Sequence, residues 1–316
     1  MSGMSRRGFL QRAGGASAAL AFMVSNGIKL KANPLGLPIG SQLWPHRPRI
    51  GESGYTGLDA VLKDLKSIGV ETVELISPSG DFQALTDGEQ VRKILDDNGM
   101  RSPSAHFRGI RTNLSTLIPW AHDIGMTHMC MASMSGPVMN GVTTLEAVKR
   151  TCEEYNQLGA IAKREGLQMM THNEGFENSR LDDGRLTYPL LLEYLDPEVM
   201  KMQFQMSSMR TIGDPIRYFT MYPGRFASAH LQGVDTTAGM NPIAPGPLTV
   251  KPNPAQAAGG RGGRGGGNAL AVGEDTVDWV RVFQAAKRGG LQNYFVEQSF
   301  ELTTKSVAFL KTLEVW

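Results

Sequence analysis

The sequence has few cysteines, no long apolar run and no acidic residue near its start, and each feature excludes a class of protein. Only two of its 316 residues are cysteine, Cys130 and Cys152, which is too few for a disulfide scaffold or a cysteine-rich metal site. No segment approaches the ~18 consecutive apolar residues of a membrane-spanning helix, so no stable membrane span is expected. With 41% hydrophobic residues, the chain is expected to bury a large core.

Positive charge is concentrated in the first 32 residues, which hold five basic residues and no Asp or Glu. Removing these five charges from the formal total of +2 leaves −3 for the rest of the chain. Because binding to a phosphate backbone needs a basic surface, we expect no nucleic-acid partner.

The basic start has the pattern of an export signal. Arg6 and Arg7 are followed by Phe9-Leu10 and by a Gly- and Ala-rich apolar stretch, Ala13 to Val24, which is too short to span a bilayer. This resembles a twin-arginine signal, in which a positive segment stays on the cytoplasmic side while an apolar segment engages the membrane. We interpret residues 1–32 as a twin-arginine signal segment and expect a periplasmic or secreted protein. A disordered basic terminus with a short helix is the alternative.

After about residue 33, short β-rich runs alternate with amphipathic helical stretches. Gly stands at several expected helix ends, as at Gly69 and Gly290. The predicted strands are Ile39–Trp44, Thr72–Ile76, Ser102–Phe107, His128–Ala132, Gln168–Asn173, Lys201–Met206, Ala227–Gln232 and Tyr294–Gln298. Helical apolar spacing is seen at Leu58, Val61, Leu62, Leu65 and Ile68 and again at Leu145, Val148, Cys152, Tyr155, Leu158 and Ile161.

Eight strand–helix units predict an α/β fold, a closed (β/α)₈ TIM barrel that forms a single domain over residues 33–316. A doubly wound open sheet is the runner-up. It is disfavoured because no Gly-x-Gly-x-x-Gly turn follows the first predicted strand.

One segment, residues 236–273, interrupts the alternation. It is rich in Pro and then in Gly, and such a composition cannot bury enough apolar surface to offset its ordering entropy. We predict a loop insertion after the seventh strand, which would lie at the catalytic rim either as a lid over the site or as a plain surface insertion. Its two arginines and lack of aromatic residues do not favour an Arg-Gly-Gly nucleic-acid segment.

Polar residues stand at the C-terminal ends of the predicted strands, where the side chains of a barrel converge on one pocket. A carboxylate in an apolar strand, such as Glu297, is costly unless it is paired or functional. By contrast, we expect His46, His122 and His128 to be structural or exposed. The candidate site residues are Glu74, His106, His172, Glu174, Gln203, Gln205, His230, Gln232 and Glu297.

Carboxylates, an amide oxygen and an imidazole from the last four strands would make an oxygen-rich site with one nitrogen ligand. Ligands of this kind suit one divalent metal, with Mn²⁺ favoured and Mg²⁺, Co²⁺ and Zn²⁺ as alternatives.

Several motifs, taken in order, resemble those of a known family. They are Gly40-Ser41-Gln42-Leu43-Trp44, Val73-Glu74-Leu75, Thr171-His172-Asn173-Glu174-Gly175-Phe176-Glu177, Tyr222-Pro223-Gly224-Arg225-Phe226, Ala229-His230-Leu231, Gly273-Glu274-Asp275-Thr276-Val277-Asp278-Trp279 and Phe295-Val296-Glu297-Gln298. Together they are similar to motifs of the xylose isomerase-like TIM barrels, the sugar phosphate isomerase/epimerase family. The resemblance extends from Pro38 to Leu313.

The resemblance implies a metal site. In that family a Glu, an Asp, a His and a Glu from the last four strands hold a divalent metal, and by position these are Glu174, Gln205, His230 and Glu297. Two of the residues depart from the family pattern. Glu174 stands where a second histidine is usual, so that Glu177 competes with it as a ligand, and Gln205 replaces Asp and removes one negative charge.

The same resemblance implies chemistry next to a carbonyl group. A metal that binds the carbonyl and hydroxyl oxygens of a keto sugar steadies the enediolate formed when the neighbouring C–H loses its proton. The candidate catalytic residues are His172, Glu174, Glu297 and His106, and the candidate substrate-binding residues are Glu74, Trp44, Gln203, Gln232 and Glu177.

Three functions stay open at this point. The leading one is a metal-dependent sugar isomerase/epimerase-like enzyme acting on an unphosphorylated sugar or keto-sugar, because an exported enzyme would not meet cytoplasmic sugar phosphates. A keto-glycoside lyase or hydratase would use the same site for β-elimination. A non-catalytic sugar-binding barrel would have lost the metal with the Asp-to-Gln change. A homo-oligomer is compatible with all three.

Overall fold

A closed barrel of parallel strands forms the centre of the part of the chain that the structure describes. The computed structural model describes residues 33–236 and 270–315. The barrel strands are β1 (Gly40–Gln42), β2 (Thr72–Ile76), β3 (Arg101–Phe107), β4 (His128–Met131), β6 (Gln168–His172), β8 (Met200–Gln205), β9 (Phe226–Leu231) and β10 (Asn293–Val296). They close in the order β1-β10-β9-β8-β6-β4-β3-β2. This confirms the predicted (β/α)₈ TIM barrel.

Helices follow the strands and cover the barrel. Those of the described residues are α1 (Arg47–Ile68), α2 (Gly88–Asp97), α3 (Ile110–Ile124), α4 (Leu145–Arg164), α5 (Thr187–Tyr194), α6 (Met209–Ile212), α7 (Pro215–Met221), α8 (Trp279–Gly289) and α9 (Phe300–Leu310). No helix in this part of the chain is long and apolar enough to cross a membrane.

The apolar faces of the helices pack on the barrel, with one shift from the predicted pattern. In α4 the buried residues include Val148, Cys152, Tyr155 and Ala162, which follow helical spacing. Ile161 was predicted to share this face, but it is 38% exposed. The face passes through Ala162 because positions three and four residues apart share one side of a helix.

Glycines end the helices where they were predicted. The backbone of Gly69 after α1 and of Gly290 after α8 is left-handed, with φ of 96° and 75°. Their N–H groups donate to carbonyls of the last helical turn, which would otherwise lack partners.

The predicted signal, residues 1–32, and most of the predicted insertion lie outside the described residues. The described end of the insertion returns to the barrel, where Leu270 pairs with Gly233 beyond β9. Two short strands, β5 (Val142–Thr143) and β7 (Arg180–Leu181), form a separate parallel sheet between the loops that follow β4 and β6.

Candidate functional site

Polar side chains gather at the C-terminal ends of the barrel strands. Strand register sets Gln205 beside His230 and His172 beside Gln203, and side chains at alternate positions of a strand point to the same face. The gathered residues are Glu74 on β2, His106 on β3, His172 on β6, Glu174 just beyond it, Gln205 on β8, His230 on β9 and Glu297 directly after β10.

A chain of contacts through Gln205 and Glu297 links the four residues proposed as metal ligands. Gln205 Nε2 donates to Glu297 Oε2 at 2.6 Å and to Glu174 Oε1 at 3.2 Å. Nδ1 of His230 lies 3.3 Å from the same Glu297 oxygen. The Glu174 side chain is 35% exposed, whereas that of Glu297 is only 10% exposed. Glu174 therefore stands on the side from which solvent reaches the cluster.

Glu74 sets the orientation of His230. The two side chains are fully buried, and His230 Nε2 lies 2.5 Å from Glu74 Oε2. Because a carboxylate only accepts, Nε2 is the donor in this bond. Nδ1 is the nitrogen that faces Glu297. A carboxylate behind a histidine is the arrangement that orients metal-binding histidines.

A hydrogen-bond network centred on Gln203 lies next to this pair. Gln203 Nε2 donates to Glu74 Oε1 at 2.8 Å and to Ser228 Oγ at 2.7 Å. Its Oε1 accepts from Cys130 Sγ at 3.2 Å and lies 2.7 Å from His106 Nε2. Since the amide nitrogen is already committed, Nε2 of His106 is the donor in that contact, and Nδ1 of a neutral His106 is free to accept.

The buried charges of the site stabilise each other. Burial raises the pKa of Glu74, but His106 and His230 outweigh burial and hold the pKa at about 2. Burial lowers the pKa of His230, but the charge of Glu74 and the nearby carboxylate of Glu297 raise it to about 10. Burial dominates at His106 and brings its pKa to about 4, against the attraction of Glu74. Without a bound cation, His230 is therefore charged and His106 neutral near pH 7.

Both outer carboxylates are ionised near neutral pH. Burial raises the pKa of Glu174, but the imidazole of His172, whose Nε2 lies 3.7 Å from Oε2, holds it at about 2. Burial also raises the pKa of Glu297, but the nearby charge of His230 outweighs burial, so the pKa is lowered.

The donor set fits a divalent cation. The buried atoms Gln205 Oε1 and both ring nitrogens of His172 have no hydrogen-bond partner. Two carboxylates, an amide oxygen and an imidazole nitrogen are suitable ligands for Mn²⁺ or Mg²⁺. A cation at His230 Nδ1 would take the place of the proton there, because metal-ligating histidine is neutral.

A second ligand set overlaps the first. Nitrogen atoms of His106, His172 and His230 lie within 4.8 Å of one another, as do ligand atoms of His172, Glu174 and Glu297. Three imidazoles would suit Zn²⁺ better than Mn²⁺. His106 and His230 each already bond through Nε2. Each of these two rings therefore has one nitrogen left for a metal.

Gln232 borders the cluster and Trp44 follows β1 at the same end of the barrel, and the contact of both with substrate stays a prediction. Trp44 lies just beyond β1, with the guanidinium carbons of Arg47 and Arg108 at 4.4 and 4.9 Å from its ring centroid. Gln232 Nε2 donates to Glu297 Oε2 at 3.0 Å.

The polar atoms of Glu177 and Gln203 are engaged in internal hydrogen bonds, and the contact of either residue with a substrate stays a prediction. Glu177 is fully buried, and its carboxylate accepts from Met134 N, Thr171 Oγ1 and Gly175 N. Thr171 points away from the neighbouring His172, since successive strand residues face opposite sides. Glu177 therefore fastens loops on the outer side of β6, and Gln203 is occupied by the internal network described above.

Sequence reasoning missed two amides at the site. Asn173 Oδ1 accepts from Gln205 N at 2.8 Å and so fixes the end of β8. Gln42 Oε1 accepts from Trp44 N at 2.5 Å, while its buried Nε2 has no partner. Both residues lie within the motifs that resemble the known family, but their type alone gave no reason to choose them over other strand-end amides.

Comparisons with known proteins support the fold. No family model and no curated protein matches the sequence. Similar solved structures include a sugar phosphate isomerase/epimerase from Parabacteroides distasonis, with a TM-score of 0.64, 18% identity, and coverage of 87% of this chain and 94% of that chain. An L-ribulose 3-epimerase has a TM-score of 0.60 and 13% identity, with coverage of 87% and 94%. A xylose isomerase-like TIM barrel protein from Mycobacterium smegmatis, in complex with magnesium, has a TM-score of 0.58 and 12% identity, with coverage of 88% and 97%.

Proposed function

We propose that this protein is a divalent-metal-dependent sugar isomerase/epimerase-like enzyme that removes a proton next to a carbonyl of an unphosphorylated sugar or keto-sugar. The observation that supports this proposal is the contact between Glu174, Gln205, His230 and Glu297 at the C-terminal ends of the barrel strands. Similar folds include an L-ribulose 3-epimerase and a barrel protein in complex with magnesium.

Those four side chains would hold the cation. When bound, a divalent cation would draw negative charge onto the carbonyl and hydroxyl oxygens of the sugar. Glu74 keeps His230 in position through the 2.5 Å contact between Glu74 Oε2 and His230 Nε2.

The proton acceptor belongs to the segment at the end of β6. Glu174 is ionised and partly exposed, and His172 Nε2 lies 3.7 Å from its Oε2. This pair can take the proton from the carbon next to the carbonyl, and the electron pair left behind moves to the carbonyl oxygen as an enediolate. His106, with a free Nδ1, can accept a hydrogen bond from a substrate hydroxyl.

The fate of the proton decides the product. Return to the opposite face of the same carbon gives the epimer, and return to the neighbouring carbon gives the isomer. If a leaving group is β to the carbonyl, the same electron pair expels it, and the enzyme acts as a lyase.

Deuterium exchange tests the proposal. Purified protein loaded with Mn²⁺ is incubated in D₂O with a panel of unphosphorylated keto sugars and keto-glycosides, and the carbon next to the carbonyl is observed by NMR. We expect exchange that stops when the metal is chelated and returns when it is restored. Absence of exchange across the panel, with Mn²⁺ bound, would contradict proton abstraction.

The variant Glu297→Gln removes one carboxylate of the cluster without changing its size. We expect loss of exchange and of tight metal binding, with thermal unfolding still cooperative. Glu301→Gln, on the exposed first turn of α9, is the matched control and should behave like the parent protein. Unchanged exchange in Glu297→Gln would remove this residue from the mechanism.

We propose in addition that the protein is exported through the twin-arginine route. Support comes from Arg6-Arg7 and the short apolar stretch that follows them. Export would place the enzyme among sugars outside the cytoplasm, which is why its substrate is proposed to be unphosphorylated.

A further inference from the structure

The amide of Gln205 lies between two carboxylates, with its nitrogen facing both. Nε2 donates to Glu297 at 2.6 Å and to Glu174 at 3.2 Å, while Oε1 is buried with no partner. Gln205 thus uses both hydrogens of its amide inside the site and leaves its only acceptor unused.

This orientation is the one that electrostatics requires when no cation is present. An amide oxygen turned towards Glu174 and Glu297 would place a third negative atom against two ionised carboxylates. The NH₂ group instead offers positive hydrogens to both, as charge-assisted bonds. With a cation between the carboxylates the preference is reversed, because the cation attracts an oxygen and repels the NH₂ hydrogens.

We propose that Gln205 has two working orientations, and that it turns its amide by half a rotation when the site takes up a cation. Its NH₂ group holds the carboxylates together in the metal-free protein, and its oxygen becomes a ligand in the loaded one. The amide is nearly symmetric in shape, so the turn needs no rearrangement of the surrounding core. This inference rests on the proposed metal-dependent function and deepens it.

A carboxylate at the same position could perform only the second role. It would add a negative charge to the metal-free site and would repel Glu174 and Glu297. Gln205 therefore holds Glu174 and Glu297 together without a cation, and it binds a cation more weakly than a carboxylate would.

Two variants of similar length separate the roles, each measured by thermal unfolding without metal and by Mn²⁺ calorimetry at pH 8. Gln205→Met removes both the donor and the acceptor. We expect its metal-free unfolding temperature to fall by at least about 2 °C and its Mn²⁺ affinity to weaken about tenfold.

Gln205→Glu keeps an oxygen but replaces the NH₂ group with a charge. We expect its metal-free unfolding temperature to fall as well, while its Mn²⁺ affinity rises about tenfold. We thus expect both variants to unfold at a lower temperature than the parent without metal, and their Mn²⁺ affinities to change in opposite directions. Gln168→Glu, at the other end of the barrel on β6, is the control and should leave Mn²⁺ affinity unchanged.

The outcomes distinguish this inference from the proposed function. If the parent protein binds Mn²⁺ but Gln205→Glu binds it no more tightly, or if Gln205→Met without metal is as stable as the parent, the two-orientation role is overturned and the metal site stands. If the parent protein binds no divalent cation, both the role and the metal dependence of the proposed function fail.

Discussion

At the residue scale, Glu74 is the group on which the geometry of His230 depends. Each of its oxygens faces donors: Oε1 accepts from Ser104 Oγ and Gln203 Nε2, and Oε2 faces His230 Nε2. A Gln side chain at position 74 would place its NH₂ group against a hydrogen-bond donor in either orientation of the amide. Such a clash leaves buried polar groups unpaired, which costs about 1–3 kcal/mol.

We therefore expect Glu74→Gln to weaken Mn²⁺ binding about 10–100-fold, the range found for partners of metal-bound histidine, and to lower the free energy of unfolding. Calorimetry and chemical denaturation measure the two effects. Glu153→Gln, on the exposed side of α4, provides the matched control. Metal affinity equal to that of the parent would show that Glu74 does not orient His230.

His46 links stability to pH. It is buried in the turn after β1, with no partner for Nε2, and burial, followed by the charge of Arg49, lowers its pKa from 6.5 to about 4. The unfolded chain takes up a proton near pH 6.5, whereas the folded protein does so only near pH 4. The free energy of unfolding therefore falls as pH drops from 7 towards 4, by up to about 3 kcal/mol from this group.

Denaturation of the parent and of His46→Gln at pH 7.5 and 4.5 checks this pH dependence. The stability cost of the substitution should shrink at the lower pH, because the variant has no histidine to protonate at this position. His122→Gln, at an exposed position of α3, serves as the comparison. A cost for His46→Gln that is the same at both pH values would contradict the linkage.

Residues of the cluster could be predicted from the sequence where residue type conflicts with the surroundings. Glu297 follows an apolar strand and His230 lies within one, and both do lie in the cluster. The sequence could not show which polar side chains belong to the buried network. Glu74 and Gln203 lie on the barrel strands at positions that resemble those of residues facing the cavity. Only the three-dimensional network shows that their polar atoms are taken by Ser104, Ser228 and His230.

At the element scale, alternation between apolar strands and amphipathic helices was sufficient to predict the barrel. Each predicted barrel strand overlaps an observed one, and Thr72–Ile76 matches β2 at both ends. The first strand was predicted to reach Trp44 but ends at Gln42. A 3₁₀ turn over Trp44–His46 follows it. Pro45 has no N–H to continue a strand ladder. The short strands β5 and β7 were not predicted, because two-residue strands leave no periodic pattern.

Gly159 makes the packing of α4 testable. A Cβ atom there would lie 2.7 Å from Val199 O and 3.0 Å from Met200 Sδ. Replacing an exposed helical Gly by Ala stabilises a protein by about 1 kcal/mol, but here we expect Gly159→Ala to destabilise it by about 1–3 kcal/mol because the helix must shift.

Gly51→Ala on α1 is the matched comparison for this measurement. Its Cβ would lie 3.1 Å from the Cβ and 3.4 Å from the backbone of exposed Asp81, a wider spacing than at Gly159. Thermal or chemical unfolding of both variants gives the comparison. A Gly159→Ala variant more stable than the parent would show that α4 does not approach the segment before β8 so closely.

At the scale of the whole molecule, the charge distribution bears on where the protein works. The positive charges of residues 1–32 precede a body with a formal net charge of −3. For the proposed export, we expect replacement of both Arg6 and Arg7 by Lys to retain the protein in the cytoplasm, because the twin-arginine route recognises that pair. Cell fractionation measures this, with Arg12→Lys as the control. Equal export of the double variant would exclude this route.

The proposed chemistry requires that residues from the late strands of the barrel hold one cation. An anomalous difference map from crystals soaked in Mn²⁺ tests it directly. We expect one peak within about 2–2.5 Å of polar atoms of Glu174, Gln205, His230 and Glu297. A peak held by His106, His172 and His230 away from Gln205, or a well-ordered site with no peak, would contradict it.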